Sequence, residues 1–137
     1  MRQIRILWID DDEYLLDFCS RSLRNRGAIV HVATSGEQGI ELLREIEVDV
    51  VVSDLEMGEM DGLEVARKVH EMFSGSRQLK PKFVLLTAWV KEMGPEEALK
   101  EFNVNTILEK PIEMKTLFQT LCDLVKPNSN LNLAQSL

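Results

Sequence analysis

Short apolar runs alternate with longer amphipathic segments along most of this chain, and this alternation restricts the fold more than any other feature. The runs that have the length of a β-strand are residues 4–9, 28–33, 48–52, 83–86 and 106–108. Residues 50–52 and 83–86 contain no polar residue, which favours strands that are buried on both faces of a parallel sheet. Strand–helix units in series therefore predict a doubly wound parallel α/β sheet with right-handed crossovers.

The segments between these runs carry the signals of helices. Ser35 with Gln38, and Asp61 with Glu64, have the spacing of a capping box. Pro95 stands where a first helical position is expected. The last segment has an apolar stripe at helical spacing, and a core-facing helix is sufficient to explain it. The stripe consists of Met114, Leu117, Phe118, Leu121 and Val125.

Length and charge exclude several classes of protein. The 137 residues suit one domain, for which we expect residues 1–125, followed by a polar tail or linker stub at 126–137. No apolar run approaches the ~20 residues that span a bilayer, and no signal peptide is evident, so a cytoplasmic protein without a membrane contact is predicted. The net charge of −7 argues against direct binding of nucleic acid. Cys19 and Cys122 lack metal or redox spacing and are expected to be reduced thiols.

Polar residues stand at the carboxyl ends of the predicted strands, where parallel sheets bind ligands. They are Asp10, Asp11, Asp54, Thr87 and Lys110. Gathering like-charged carboxylates is costly unless a cation joins them, and Mg²⁺ prefers carboxylates, waters and phosphate oxygens. Lys110 and Thr87 suit an anion, most simply a phosphoryl group that a carboxylate has accepted as nucleophile.

These segments resemble the receiver domains of response regulators in two-component signalling, a superfamily of chemotaxis-regulator-like proteins. Residues 6–13 are similar to the opening of receiver domains, and residues 54–64 to the loop that follows their phosphoacceptor strand. Leu86-Thr87-Ala88 and Lys110-Pro111 match the two other signatures. The resemblance covers residues 4–125 and implies a five-stranded parallel sheet in the order 2-1-3-4-5, with helices on both faces.

The resemblance implies a metal site and a phosphoacceptor. Asp54 matches the phosphoacceptor, while Asp10 and Asp11 match the acid pair of the metal site, with Asp11 the direct ligand. The backbone carbonyl of Glu56 would complete the protein ligands of Mg²⁺ or Mn²⁺. The Glu56 side chain, two residues beyond the acceptor, is expected to modulate the hydrolysis of the aspartyl phosphate.

Asp12 offers a second register for the acid pair. The pair at Asp10-Asp11 places Leu15, Phe18 and Cys19 on core positions of the family, and we therefore adopt it.

The resemblance also implies how the phosphoryl group is held and sensed. Thr87 and Lys110 would bind the phosphoryl oxygens, and the Lys110-Pro111 peptide bond would be cis. Thr87 and the residue at Ile107 would form the switch, with Trp89 as the local reporter of the change.

Three positions depart from the family pattern. Gly58 stands where proline is usual, and Ile107 where tyrosine or phenylalanine is usual. Residues 103–105 replace the usual Gly-Ala pair before the last strand. Because isoleucine is short and restricted in its rotamers, the usual aromatic switch does not follow automatically.

The implied partners are proteins. A sensor histidine kinase or a histidine phosphotransfer domain would donate the phosphoryl group, and an unknown effector or output domain would receive the signal. A phosphorylation-dependent dimer is compatible with the resemblance. The domain would act as a regulatory phosphoacceptor rather than as an enzyme.

Three other functions compete with this one. A small haloacid-dehalogenase-like phosphohydrolase would use Asp10 or Asp54 as its nucleophile, and Asp10 and Asp12 have that family's spacing. The residues that follow, Glu13-Tyr14, do not fit it. A flavodoxin-like electron carrier needs a phosphate-binding loop after the first strand, which is absent. A receiver-like scaffold without phosphorylation would not need the intact acceptor set.

Overall fold

The computed structural model describes residues 2–88, 100–101 and 103–126. Its strands are β1 (Arg5–Ile9), β2 (Ile29–Ala33), β3 (Val50–Asp54), β4 (Lys82–Thr87) and β5 (Thr106–Glu109). Its long helices are α1 (Glu13–Asn25), α2 (Gly36–Leu43), α3 (Gly62–Phe73) and α4 (Met114–Val125). Pro95, where a helix is expected to begin, lies outside the described residues. Within the described ranges, no helix is both long and apolar enough to cross a membrane.

The strands form one parallel sheet in the order β2-β1-β3-β4-β5, which confirms the predicted topology. Each strand begins within two residues of its apolar run. The central strand β3 is buried along its whole length, as expected for a strand that is covered on both faces.

Alternate residues of the strands supply two cores, one on each face of the sheet. Helices α1 and α4 cover one face, and α2 and α3 cover the other. The first core includes Ile6, Trp8, Val52, Leu86, Leu117 and Leu121. The second core includes Leu7, Ile9, Val51, Phe83, Leu85 and Val65. The stripe predicted for the last helix is confirmed, because all of its members belong to the first core or pack against it.

One core assignment on α1 was wrong. Phe18 is 62% exposed, whereas Leu16 is 4% exposed and belongs to the core beside Cys19. Leu16, Cys19 and Leu23 follow the spacing of one helical face. Phe18 lies two residues after Leu16, so it points away from that face and toward solvent.

The predicted N-caps of α2 and α3 are confirmed. The Ser35 hydroxyl accepts a hydrogen bond from the Gln38 backbone N–H (3.1 Å), and Asp61 accepts one from that of Glu64 (2.9 Å). The Gln38 side chain bonds to the N–H of Thr34 rather than to that of Ser35, so its half of the capping box is displaced by one residue.

The residues before β5 show how the departure from the family's Gly-Ala pair is accommodated. Asn103 has a positive φ of 58°, and asparagine is one of the few residues other than glycine that tolerate this conformation. Val104 is buried in the second core. The Asn105 side chain accepts a hydrogen bond from the Phe83 N–H (2.7 Å), which ties the loop to β4.

Candidate phosphoacceptor site

Backbone hydrogen bonds continue beyond the strands and bring four loops to one edge of the sheet. The Asp10 N–H donates to the Ala33 carbonyl (3.1 Å), and the Leu55 N–H donates to that of Leu86 (2.8 Å). The Lys110 N–H donates to the Thr87 carbonyl (2.9 Å). The residues at these strand ends are therefore held at defined positions, as parallel pairing predicts.

Three carboxylates converge at this edge. Oxygens of Asp10, Asp11 and Asp54 lie within 4.8 Å of one another. Asp10 is 1% exposed and Asp54 is 5% exposed, whereas Asp11 is open to solvent. These are the three acids expected from the sequence, and the structure brings them together.

The buried carboxylate of Asp10 is poorly compensated by protein groups. Asp10 Oδ1 accepts a hydrogen bond from the Asp12 N–H (3.0 Å), but its Oδ2 is buried and has no hydrogen-bond partner among the described residues. Burial raises the pKa of Asp10, and the charges of Asp54 and Asp11 raise it further. A divalent cation with oxygen ligands fits this set, because it would compensate the buried negative charge and use the orphaned oxygen.

Lys110 supplies the positive charge of the site. Its Nζ lies 2.5 Å from Asp54 Oδ1, which otherwise meets no hydrogen-bond donor within the described ranges. Burial raises the pKa of Asp54 and outweighs the opposing effect of Lys110. Burial also lowers the pKa of Lys110, but the hydrogen bond and charge of Asp54 raise it overall, so the ammonium stays protonated. The Lys110-Pro111 bond is cis, as the resemblance implied.

Thr87 is tied to a residue that the sequence did not pair with it. Its hydroxyl donates a hydrogen bond to Glu56 Oε1 (2.9 Å). Thr87 is fully buried at the end of β4, while Glu56 stands in the exposed loop after β3. The sequence indicates only that Thr87 ends one strand and that Glu56 follows a neighbouring one. That signal does not reveal side-chain direction.

Gly62 lets α3 begin directly against the acceptor strand. A Cβ atom at this position would lie 2.5 Å from the Asp54 carbonyl oxygen and 2.5 Å from a Leu85 methyl carbon. No side chain fits at these distances. The glycine therefore sets how closely the loop after Asp54 folds back over the strand end.

Asp12 has a structural role of its own at the start of α1. Its carboxylate accepts hydrogen bonds from the N–H groups of Tyr14 and Leu15 (both 3.1 Å), and it caps α1. The metal-type cluster contains Asp10 and Asp11 but not Asp12. The geometry thus agrees with the pair chosen from the sequence.

The structure describes Ile107, which is expected to take part in the switch, but not Trp89, its expected reporter. Ile107 lies in β5, is partly buried and packs against the core formed with α2 and α3. Trp89 lies outside the described residues.

The approach to the acids is open on one side. A surface cavity of about 300 Å³ is lined by Asp11, by residues 57–60 of the loop after β3, and by residues 34–37 around the start of α2. A Cβ atom at Gly58 would meet nothing within 4 Å, so the loop leaves free space where the family usually has proline.

Comparison with known proteins agrees with this geometry. A family model described as the response regulator receiver domain matches residues 6–122. The transcriptional regulatory protein GlrR of Escherichia coli is 30% identical over 124 residues, which cover 90% of this chain and 27% of that protein. An uncharacterized 14.6 kDa protein of Leptolyngbya boryana is 33% identical and is covered over 98% of its length, with 94% of this chain aligned. The chain thus spans about a quarter of the length of GlrR.

Solved structures show the same fold. A response regulator receiver domain protein from Clostridium thermocellum has a TM-score of 0.80 at 23% identity, covering 93% of this chain and 98% of that one. The chemotaxis response regulator CheY4 of Vibrio cholerae has a TM-score of 0.75 at 23% identity, covering 88% and 98% respectively. No comparison supports the haloacid-dehalogenase-like alternative. The chain belongs to the response regulator receiver domain family, whose members are the phosphoacceptors of two-component signalling.

Proposed function

We propose that Asp54 is the phosphoacceptor of this receiver domain and that Asp10, Asp11, Thr87 and Lys110 support the transfer. The observation that carries the proposal is the position of Asp54. It is buried at the carboxyl end of the central strand, it is paired with Lys110, and it lies beside two further carboxylates. An acid held in this way is oriented for attack on phosphorus, and the cation beside it can stabilise the negative charge on the phosphoryl oxygens.

The proposed metal site uses Asp10, Asp11, Asp54 and the backbone carbonyl of Glu56. Receiver domains generally bind Mg²⁺ at an acidic pocket, and the three carboxylates provide one here. The open position of Asp11 suits a direct ligand, whereas Asp10 would act mostly through water. A bound Mg²⁺ or Mn²⁺ would neutralise the acids and orient the phosphoryl oxygens.

The proposed reaction transfers a phosphoryl group from a phosphohistidine. An Asp54 carboxylate oxygen attacks phosphorus, the P–N bond breaks, and the imidazole leaves with a proton from solvent. The Lys110 ammonium would exchange its ion pair with the Asp54 carboxylate for one with a phosphoryl oxygen. The Thr87 hydroxyl would donate a hydrogen bond to a second oxygen.

The proposed partners follow from the family. A histidine kinase or a histidine phosphotransfer domain donates the phosphoryl group, and the signal then passes to an output domain or a separate effector. An output domain and a kinase as partners are supported by the similarity to the transcriptional regulatory protein GlrR and to the sensor kinase CckA of Brucella abortus (29% identical, 88% of this chain and 12% of that protein). A cytoplasmic location, a receiver domain at 1–125 with a tail at 126–137, and dimerisation on phosphorylation are part of the same proposal.

Phosphorylation by a small phosphodonor tests the assignment. The protein is incubated with acetyl phosphate and Mg²⁺, and its intact mass is measured beside samples that contain EDTA. We expect a single phosphoryl adduct on the wild type, dependent on Mg²⁺, and none on Asp54→Asn. Asp61→Asn is the matched control, because Asp61 caps α3 outside the acid cluster. Equal adduct yield on wild type and Asp54→Asn would reject the proposal.

A further inference from the structure

The hydroxyl proposed to bind the phosphoryl group is already engaged by another carboxylate. Thr87 Oγ1 donates to Glu56 Oε1 at 2.9 Å, which is a good hydrogen-bond distance. Hydrogen bonds to ionised acceptors are stronger than those between neutral groups. In this state the Thr87 side chain is therefore held toward the loop after β3.

The backbone leaves little freedom to Thr87 except rotation of its side chain. Its carbonyl accepts the Lys110 N–H at 2.9 Å, and Leu55 pairs with the preceding residue, Leu86, at 2.8 Å. The same Leu55 pairing keeps Glu56 beside the end of β4. Because threonine is branched at Cβ and occupies few rotamers, a change of partner is a discrete change of state.

A hydroxyl has one proton to donate, so Thr87 serves one of these acceptors at a time. We infer that Glu56 is a latch, which holds the Thr87 hydroxyl until a phosphoryl group on Asp54 displaces it. The charge of Glu56 also acts on Asp54 and Lys110, since it raises the pKa of both groups. Glu56 is thus close enough to compete with, and to be repelled by, the ~2 negative charges of a phosphoryl group.

The latch rests on the proposed function and adds a regulatory element to it. The Glu56 side chain would set the free energy that is needed to break the Thr87–Glu56 hydrogen bond before Thr87 can bind the phosphoryl group. Because Glu56 is exposed, solvent weakens this charge-assisted bond, and we expect it to change an equilibrium by roughly three- to tenfold. Removing the acceptor should therefore make the phosphorylated-like state easier to reach by that factor.

A double-mutant cycle with a beryllofluoride–Mg²⁺ mimic tests the latch. Dissociation constants for the mimic are measured for wild type, Glu56→Ala, Thr87→Val and the double variant. We expect Glu56→Ala to tighten binding more in the protein that retains Thr87 than in the Thr87→Val background, by roughly three- to tenfold. Repulsion between Glu56 and the mimic is present in both backgrounds, so it cancels from the difference between the two effects of Glu56→Ala. Glu71→Ala, which removes an exposed acid near the C-terminal end of α3, should change binding less than about twofold.

A second measurement separates the latch from the proposed function. In the absence of any mimic, scalar couplings measured by NMR report the χ1 rotamer of Thr87. We expect one rotamer in the wild type and an average over several rotamers in Glu56→Ala. An equal gain in both backgrounds, or an unchanged Thr87 rotamer, would overturn the latch even if phosphorylation occurs. If the wild type binds no mimic, the proposed function fails, and the rotamer measurement alone decides the latch.

Discussion

Replacing Asp10 by asparagine should stabilise the protein when no divalent cation is bound. Asp10 is buried, its Oδ2 lacks a hydrogen-bond partner among the described residues, and its ligand oxygen lies within 4.8 Å of those of Asp11 and Asp54. Two unit charges at that distance repel by about 3.5 kcal/mol at an effective dielectric constant of ~20. Lys110 and the solvent around Asp11 offset much of this repulsion.

The net gain is the difference between these opposing effects. We expect Asp10→Asn to raise the free energy of unfolding in EDTA by about 1–2 kcal/mol, which is about 3–8 °C in Tm for a domain of this size. Asparagine keeps a carbonyl oxygen for the Asp12 N–H, so that bond is retained. Because burial raises the pKa of Asp10 in the folded protein, metal-free stability should fall as pH rises from the ordinary pKa of an aspartate through the raised one. The variant should lose the part of this dependence that comes from Asp10 and keep the part from Asp54, whose pKa burial also raises.

Thermal unfolding with EDTA and with saturating Mg²⁺ measures both effects. The wild type should gain more stability from Mg²⁺ than Asp10→Asn does, because the variant has lost a charge at the metal site. Glu71→Gln removes a charge from an exposed position near the C-terminal end of α3 and should change neither value appreciably. The reasoning is refuted if Asp10→Asn is less stable than wild type in EDTA, or if both proteins respond equally to Mg²⁺.

Three other changes test separate parts of the structure. Asp49→Ala should cost about 1–2 kcal/mol at neutral pH, because the Asp49 carboxylate accepts from both the backbone and the side chain of Arg5. Burial alone would raise the pKa of Asp49, but these bonds lower it overall. The cost should therefore shrink as pH falls through the lowered pKa, and a constant difference in denaturation free energy would contradict this. Burial raises the pKa of Cys19 to about 11, so iodoacetamide at mildly alkaline pH should modify Cys122 first; equal rates by peptide mapping would contradict this order. Glu56→Ala should change the half-life of the aspartyl phosphate several-fold while leaving Mg²⁺ affinity intact, and an unchanged half-life would show that its side chain has no part in hydrolysis.

The strands were predictable from local apolar patterns, whereas their order was implied by the resemblance to receiver domains, and the structure confirms both. Uninterrupted apolar runs such as Val50–Val52 can be buried only in a sheet that is covered on both faces. The carboxyl ends of parallel strands share an edge, so the positions of Asp10, Asp54 and Lys110 along the chain were enough to place them together.

Side-chain direction was not predictable in the same way. Phe18 is apolar and lies in an apolar-periodic helix, yet the face of α1 is decided by Leu16, Cys19 and Leu23, and Phe18 is left exposed. The Thr87–Glu56 bond depends on rotamers, which the spacing of residues along the chain does not encode.

Chemical trapping of the acceptor tests the central claim most directly. The protein is phosphorylated in the presence of Mg²⁺, reduced with borohydride, digested and sequenced by mass spectrometry. Borohydride converts an aspartyl phosphate to homoserine, and we expect homoserine in place of Asp54, with none when Mg²⁺ is chelated. Homoserine in place of Asp10, Asp11 or Asp61 instead, or an unmodified Asp54 in a protein that carries phosphate, would contradict the account.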